Sequence, residues 1–156
     1  MRGERAIPRP AAVYGGAGLI PFAAGALAVW LAPAGWDARA LDATLAYGTA
    51  ILSFLGAVHW GLALAGAGTN GDSRAACTWP RLGWAITPAL LGWLALLLVP
   101  LLGAAVLIAG FAAAASVDLR AVRAGLMPAW YGALRKLLSV GAIVCLAVAS
   151  APALPG

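Results

Sequence analysis

The chain has 156 residues, 63% of them hydrophobic, with 10 Lys or Arg against 5 Asp or Glu and a formal charge of +5. Soluble domains are about half apolar, so this excess cannot be hidden in one small core, and a small soluble enzyme, a nucleic-acid binder and a disordered segment are excluded for want of polar surface. The charged residues instead bound four neutral runs, 10–36, 43–71, 82–117 and 137–156, each long enough for the roughly 20 residues that cross a hydrocarbon core.

Arg2, Arg5 and Arg9 precede the first run. The pattern imitates a secretory signal, but the neutral stretch is longer than the roughly 7–15 residues of a signal core, which predicts an uncleaved helix over 11–32. A second helix is predicted over 43–67. The run 82–117 would make one helix of about 54 Å, too long for a bilayer. Pro100, followed by Gly103, divides it into helices over 82–98 and 101–117. A fifth helix is predicted over 132–151, with a lead-in from Pro128 and with Arg135 and Lys136 snorkelling to the headgroups. The expected fold is all-α, an integral membrane bundle of five transmembrane helices in one polytopic domain, 1–156.

Orientation follows from the positive charges. With five spans the leader, the 68–81 connection and the 118–136 connection share one side and hold nine Lys or Arg, against Arg39 alone opposite. With four spans the count is even and gives no instruction. The positive-inside rule therefore selects five spans and a cytoplasmic amino terminus. Alkaline phosphatase fused after Gly156 is expected to be active and after Arg123 silent; the reverse pattern overturns the topology. Tyr14, Trp79, Trp84, Trp130 and Tyr131 are expected at the inner interface, and Trp30, Trp36, Tyr47 and Trp93 at the outer one. Cys77 and Cys145 fall in different environments without a CxxC or ligand spacing, and no disulfide is expected.

The second span carries ILSFLGAVHWGLAL over 51–64, with the only histidine of the chain. An ionisable group in hydrocarbon is costly and faces a bundle interior, so His59 is predicted to point inward. A relay, a donor to a quinone-like head group, or a haem or metal ligand are its functional uses, and no second histidine supports ligation. The competing reading is a neutral imidazole bonded to a backbone carbonyl freed by Pro21 or Pro88, with charging suppressed and a proton-carrying role disfavoured unless Asp118 or an external acid approaches. Gly48, Gly56 and Gly61, with Ser53, predict a small-residue flank for close helix packing, with Pro21 and Pro88 as kinks. At the inner face Asp118, Arg120, Arg123, Trp130, Tyr131 and Arg135 are expected to meet an anionic lipid or an acidic partner, or to serve anchoring alone. No nucleophile elbow, phosphate loop, paired carboxylates or HExxH is present, so no catalytic residue, metal or cofactor is expected.

The SFLGAVHWG core at 53–61, the Pro21 and Phe22 pair and PAWYGALRKLLS at 128–139 together resemble domain of unknown function 3429, the transmembrane protein 69-like family of bacterial inner-membrane and mitochondrial proteins. The resemblance covers most of the chain but not 69–81. It implies a small multi-pass protein of the bacterial cytoplasmic membrane with no established reaction, and it assigns Ser53, Gly56, His59, Trp60 and Gly61 to one family motif and Pro128, Trp130, Tyr131 and Arg135 to another. The function expected first is a non-enzymatic partner that packs in, stabilises or helps assemble a larger membrane complex, with lipid and other membrane subunits or a second copy as partners. The alternative is a small transporter or a quinone-like cofactor site centred on His59.

Overall fold

The structure, a computed structural model, describes residues 6–33, 35–70 and 77–153, and of 67–70 the backbone alone. Arg2, Arg5 and Arg74, three of the nine positive charges expected on the inner side, lie outside the described residues. The described residues form α1 (Arg9–Ala17), α2 (Ile20–Leu31), α3 (Asp37–Asn70), α4 (Trp79–Leu97), α5 (Pro100–Arg123) and α6 (Ala129–Ser150), closed by a 3-10 turn at Ala151–Ala153. With α1 and α2 taken together and the closing turn added to α6, five segments are long and apolar enough to cross a membrane.

The helices overrun the neutral stretches. Begun at Asp37, α3 starts before the expected residue 43, and α5 runs to Arg123 rather than 117. A charge on an exposed turn does not end a helix, whereas proline and glycine do. Leu98 and Val99 are extended and Pro100 opens α5, so the division of the long run falls where the proline predicted it. Gly125 ends α5 with φ +74°, its N–H donating to Val122 O while that of Leu126 reaches Ala121 O. This is a Schellman ending, which a side chain at 125 would strain, and it leaves a short reversal into α6. Pro21 proves not to be a kink inside a continuous helix: the first span breaks before it, at Gly18 and Leu19, and the proline sits in the first turn of α2, where its missing N–H costs nothing. Pro88 does lie inside α4.

Packing is a closed ring, α2 to α3 to α4 to α5 to α6 and back to α2, with α3 also reaching α5 and α6 across the centre. Phe22, Leu52, Leu107, Phe111 and Leu146 fill the middle. The Phe22 ring stands edge-on to Tyr47 at 5.0 Å and to Phe111 at 5.8 Å, the arrangement aromatic quadrupoles favour. Tyr47 is thus inside the bundle rather than at the outer interface, and its hydroxyl donates to Gly18 O at 3.0 Å, taking up a carbonyl at the break.

Close backbone approach is what the glycines provide, but not along one flank. A Cβ on Gly56 would strike Ala85 O and lie 3.2 Å from Pro88, on α4, whereas one on Gly48 would meet Leu107 of α5 at 3.1 Å and Phe22 of α2 at 3.5 Å. Eight residues advance a helix by about 80° beyond two turns, so the two glycines serve different neighbours. Gly61 has no atom within 4 Å of such a Cβ and belongs to neither contact. Between α3 and α4, Thr49 also donates to Gly92 O at 3.0 Å.

Candidate functional site

The motif on α3 divides by face. Gly56 and His59 are buried, Ser53 is half-buried and returns its hydroxyl to Thr49 O at 2.8 Å, and Trp60 is 44% exposed with Gly61 exposed beside it. His59, 6% exposed, points into the bundle. Its partner is a side chain and not a proline-freed carbonyl: Nε2 lies 2.8 Å from Oδ1 of Asp118. The premise that no carboxylate approaches His59 therefore fails.

Asp118 is the centre of the site. It is 1% exposed, inside α5 and not in the connection after it. Its Oδ2 lies 2.6 Å from Nε of Arg135 and accepts the Tyr131 hydroxyl at 3.2 Å. Arg135 is 4% exposed on α6, so the expected snorkelling of this side chain and the inner-face contact of Asp118, Tyr131 and Arg135 are corrected: the guanidinium turns inward because a carboxylate waits there, and a buried charge needs its counter-ion more than it needs water. Arg120 and Arg123 are exposed, Trp130 is half-buried with its ring 6.1 Å from that of Tyr131, and Lys136 is exposed. The result is one polar cluster that joins α3, α5 and α6.

Helix geometry explains why these residues meet. Asp118 lies six positions before the Ala124 cap of α5 and Arg135 seven after the Pro128 cap of α6, about 9 and 10 Å along each axis. The reversal at Gly125 then sets them at one depth. That register could have been read from the sequence had the end of α5 been placed at the glycine instead of at the first charge.

Three polar atoms in the cluster lack a hydrogen bond among the described residues: Nε and Nη2 of Arg135 and Oγ of Ser139, one turn further along α6, with Nε held to Asp118 as an ion pair alone. Ser139 is a position sequence reasoning did not single out, since a lone serine in an apolar run carries no pattern. Arg135 also lines a cavity of about 140 Å³ between the first span, α3, α5 and α6, whose other walls include Phe22, Leu55, Phe111 and Leu138. Tyr14 and Phe54, both largely exposed, are among its lining residues and mark where it opens to the surface of the chain. Among the described residues no three His, Cys, Asp or Glu side chains gather as a metal site, and Cys77 and Cys145 are free thiols.

Chemically the cluster can hold a fixed positive charge against a carboxylate and orient an imidazole, with Arg135 also among the cavity's walls. A family model described as protein of unknown function DUF3429 matches residues 7–151. Transmembrane protein 69 of Xenopus tropicalis is 38% identical over 141 residues, 89% of this chain and 53% of that protein, so the chain spans about half the length of the relative. No solved structure gives a significant match.

Proposed function

The chain belongs to the DUF3429 family of multi-pass membrane proteins, and from that premise we propose that it is a non-catalytic protein of the bacterial cytoplasmic membrane that binds a hydrophobic molecule at the polar cluster. One observation carries the proposal: Arg135, a buried cation, is among the residues lining an otherwise apolar cavity with the exposed Tyr14 and Phe54 at its rim. Replacing a buried ion pair with apolar side chains is often neutral or stabilising, so stability alone is a weak reason to keep one. Within a bilayer the presumption is stronger, and ionisable groups there mark sites by default.

The site is thereby a version of the hydrophobic-cofactor reading, moved from His59 to Arg135, with His59 as a holder of Asp118. The test is a lipid-extract mass spectrum of the protein purified in mild detergent, compared with Leu138→Phe, which grows into the cavity. Wild type is expected to retain a hydrophobic molecule that the variant loses. Identical spectra with nothing above bulk lipid would overturn the reading.

A second reading, a packing or assembly partner of a larger membrane complex, draws on a different observation. Trp60 and Gly61 sit side by side on the outer face of α3, and the glycine has open space before it. Small residues let a second helix approach closely. Gly48 and Gly56 no longer support this reading, because they are used within the chain. Subunits that co-purify with wild type and are lost from Gly61→Leu would favour it.

A further inference from the structure

Another recess lies where α5 and α6 meet near the Gly125 reversal. It is a groove of about 420 Å³, within the range of about 300–1,000 Å³ usual for ligand clefts. The helices touch at Gly132, where a Cβ would lie 3.3 Å from Val122. Leu119 and Val122 of α5 and Ala133 of α6 give it apolar walls, and its two charged residues, Arg123 of α5 and Lys136 of α6, are both exposed. Among the described residues no carboxylate lines it. Asp118, the acid nearest in sequence, is 1% exposed and turned toward His59, Arg135 and Tyr131. Arg123 donates Nε to Leu119 O of its own helix at 3.3 Å, and neither cation has an ion pair among the described residues.

Lys136 sets the depth of the groove. It stands eight positions after the Pro128 cap, about 12 Å along α6 and inside the apolar segment Ala129–Ala153. A lysine stem at that depth can carry its ammonium back toward the helix ends, where Arg123 sits. Anchoring alone accounts for either cation singly, but not for one from each helix on a shared, acid-free groove with apolar walls. We propose that this groove binds an anionic phospholipid, with its phosphate between Arg123 and Lys136 and an acyl chain against Leu119, Val122 and Ala133. A zwitterionic head would bring an ammonium that meets only cations here, so the charges select a lipid of net negative charge. An acidic peptide would match the charges but has no reason to enter an apolar segment. The groove shares no lining residue with the cavity at Arg135, so the two sites can be tested apart.

Dioleoyl phosphatidylglycerol and dioleoyl phosphatidylcholine, which differ in head group alone, are titrated into the delipidated protein in mild detergent, and bound lipid is counted by native mass spectrometry. The anionic lipid is expected to bind at least about fivefold more tightly, and Arg123→Gln and Lys136→Gln to weaken it by about fivefold each. Both residues are exposed, where such changes leave stability nearly untouched. Arg120→Gln, which removes an exposed cation outside the groove, is the control and is expected to leave the affinity as it was. Ala133→Leu keeps both charges and narrows the groove; it is expected to weaken the anionic lipid too, which a diffuse surface charge would not explain. Equal binding of the two lipids overturns the proposal, and so does an equal loss in all three charge variants with none in Ala133→Leu. Displacement of the bound lipid by inorganic phosphate or by octaglutamate at equal concentration would identify a free phosphate or an acidic peptide as the occupant and overturn it as well. Lipid lost from Leu138→Phe but kept by the groove variants would belong to the cavity at Arg135, which sinks this proposal and leaves the binding reading standing.

Discussion

Asp118→Leu is expected to lower the stability of the bundle by about 3–5 kcal/mol, the cost of leaving one member of a buried ion pair without its partner. Three side chains converge on this carboxylate, those of His59, Arg135 and Tyr131, and the change removes the partner of each. Arg135 suffers most, since its guanidinium cannot shed its charge. The double variant Asp118→Leu with Arg135→Met removes both charges and is expected to recover most of the loss, because an apolar pair of similar volume carries no desolvation cost. Thermal unfolding in mild detergent measures both. A single variant that melts with wild type, or a double variant no better than the single, would show that the pair does not hold α5 to α6.

Gly56→Leu is expected to be the most damaging change on α3, at or above the roughly 1–3 kcal/mol of ordinary overpacking. The obstacle is the Ala85 carbonyl of α4, together with the ring of Pro88, and neither backbone nor a proline ring can rotate aside as a flexible side chain does. Gly61→Leu, five residues on and facing open space, is the control and is expected to melt with wild type in the isolated chain. The yield of monodisperse protein and the melting temperature report the difference. Equal behaviour of the two variants would mean that α3 and α4 do not meet at Gly56.

Much of the architecture is one-dimensional information. The number of spans follows from the lengths of neutral runs and from Pro100, because a bilayer accepts each segment according to its own length and polarity. The inward direction of His59 is legible for a similar reason, since hydrocarbon penalises an imidazole wherever it finds one. The charge rule likewise assigns an orientation, which the reporter fusions test.

Which polar groups meet is a different kind of fact. Composition places Asp118 outside the membrane, yet the chain stays helical through it to the glycine-ended turn at 125, and that extra length, reversed into α6, sets the carboxylate opposite Arg135. Lacking this register, a reader has no means of telling a snorkelling arginine from a buried one, as both sit at the charged end of an apolar run. Gly48 and Gly56 show the same limit: a flank of small residues is visible in the sequence, but the 80° or so between them sends each to another helix. Ser139 and the unpaired Nη2 of Arg135 lie beyond one-dimensional reading altogether, since a missing partner is a property of what surrounds an atom. The sequence alone determined how many segments are long and apolar enough to cross a bilayer. Only packing in three dimensions decided that one carboxylate, one guanidinium and one imidazole touch, because contact between distant residues depends on how helices rotate as well as on where they end, and the composition of each segment is indifferent to rotation.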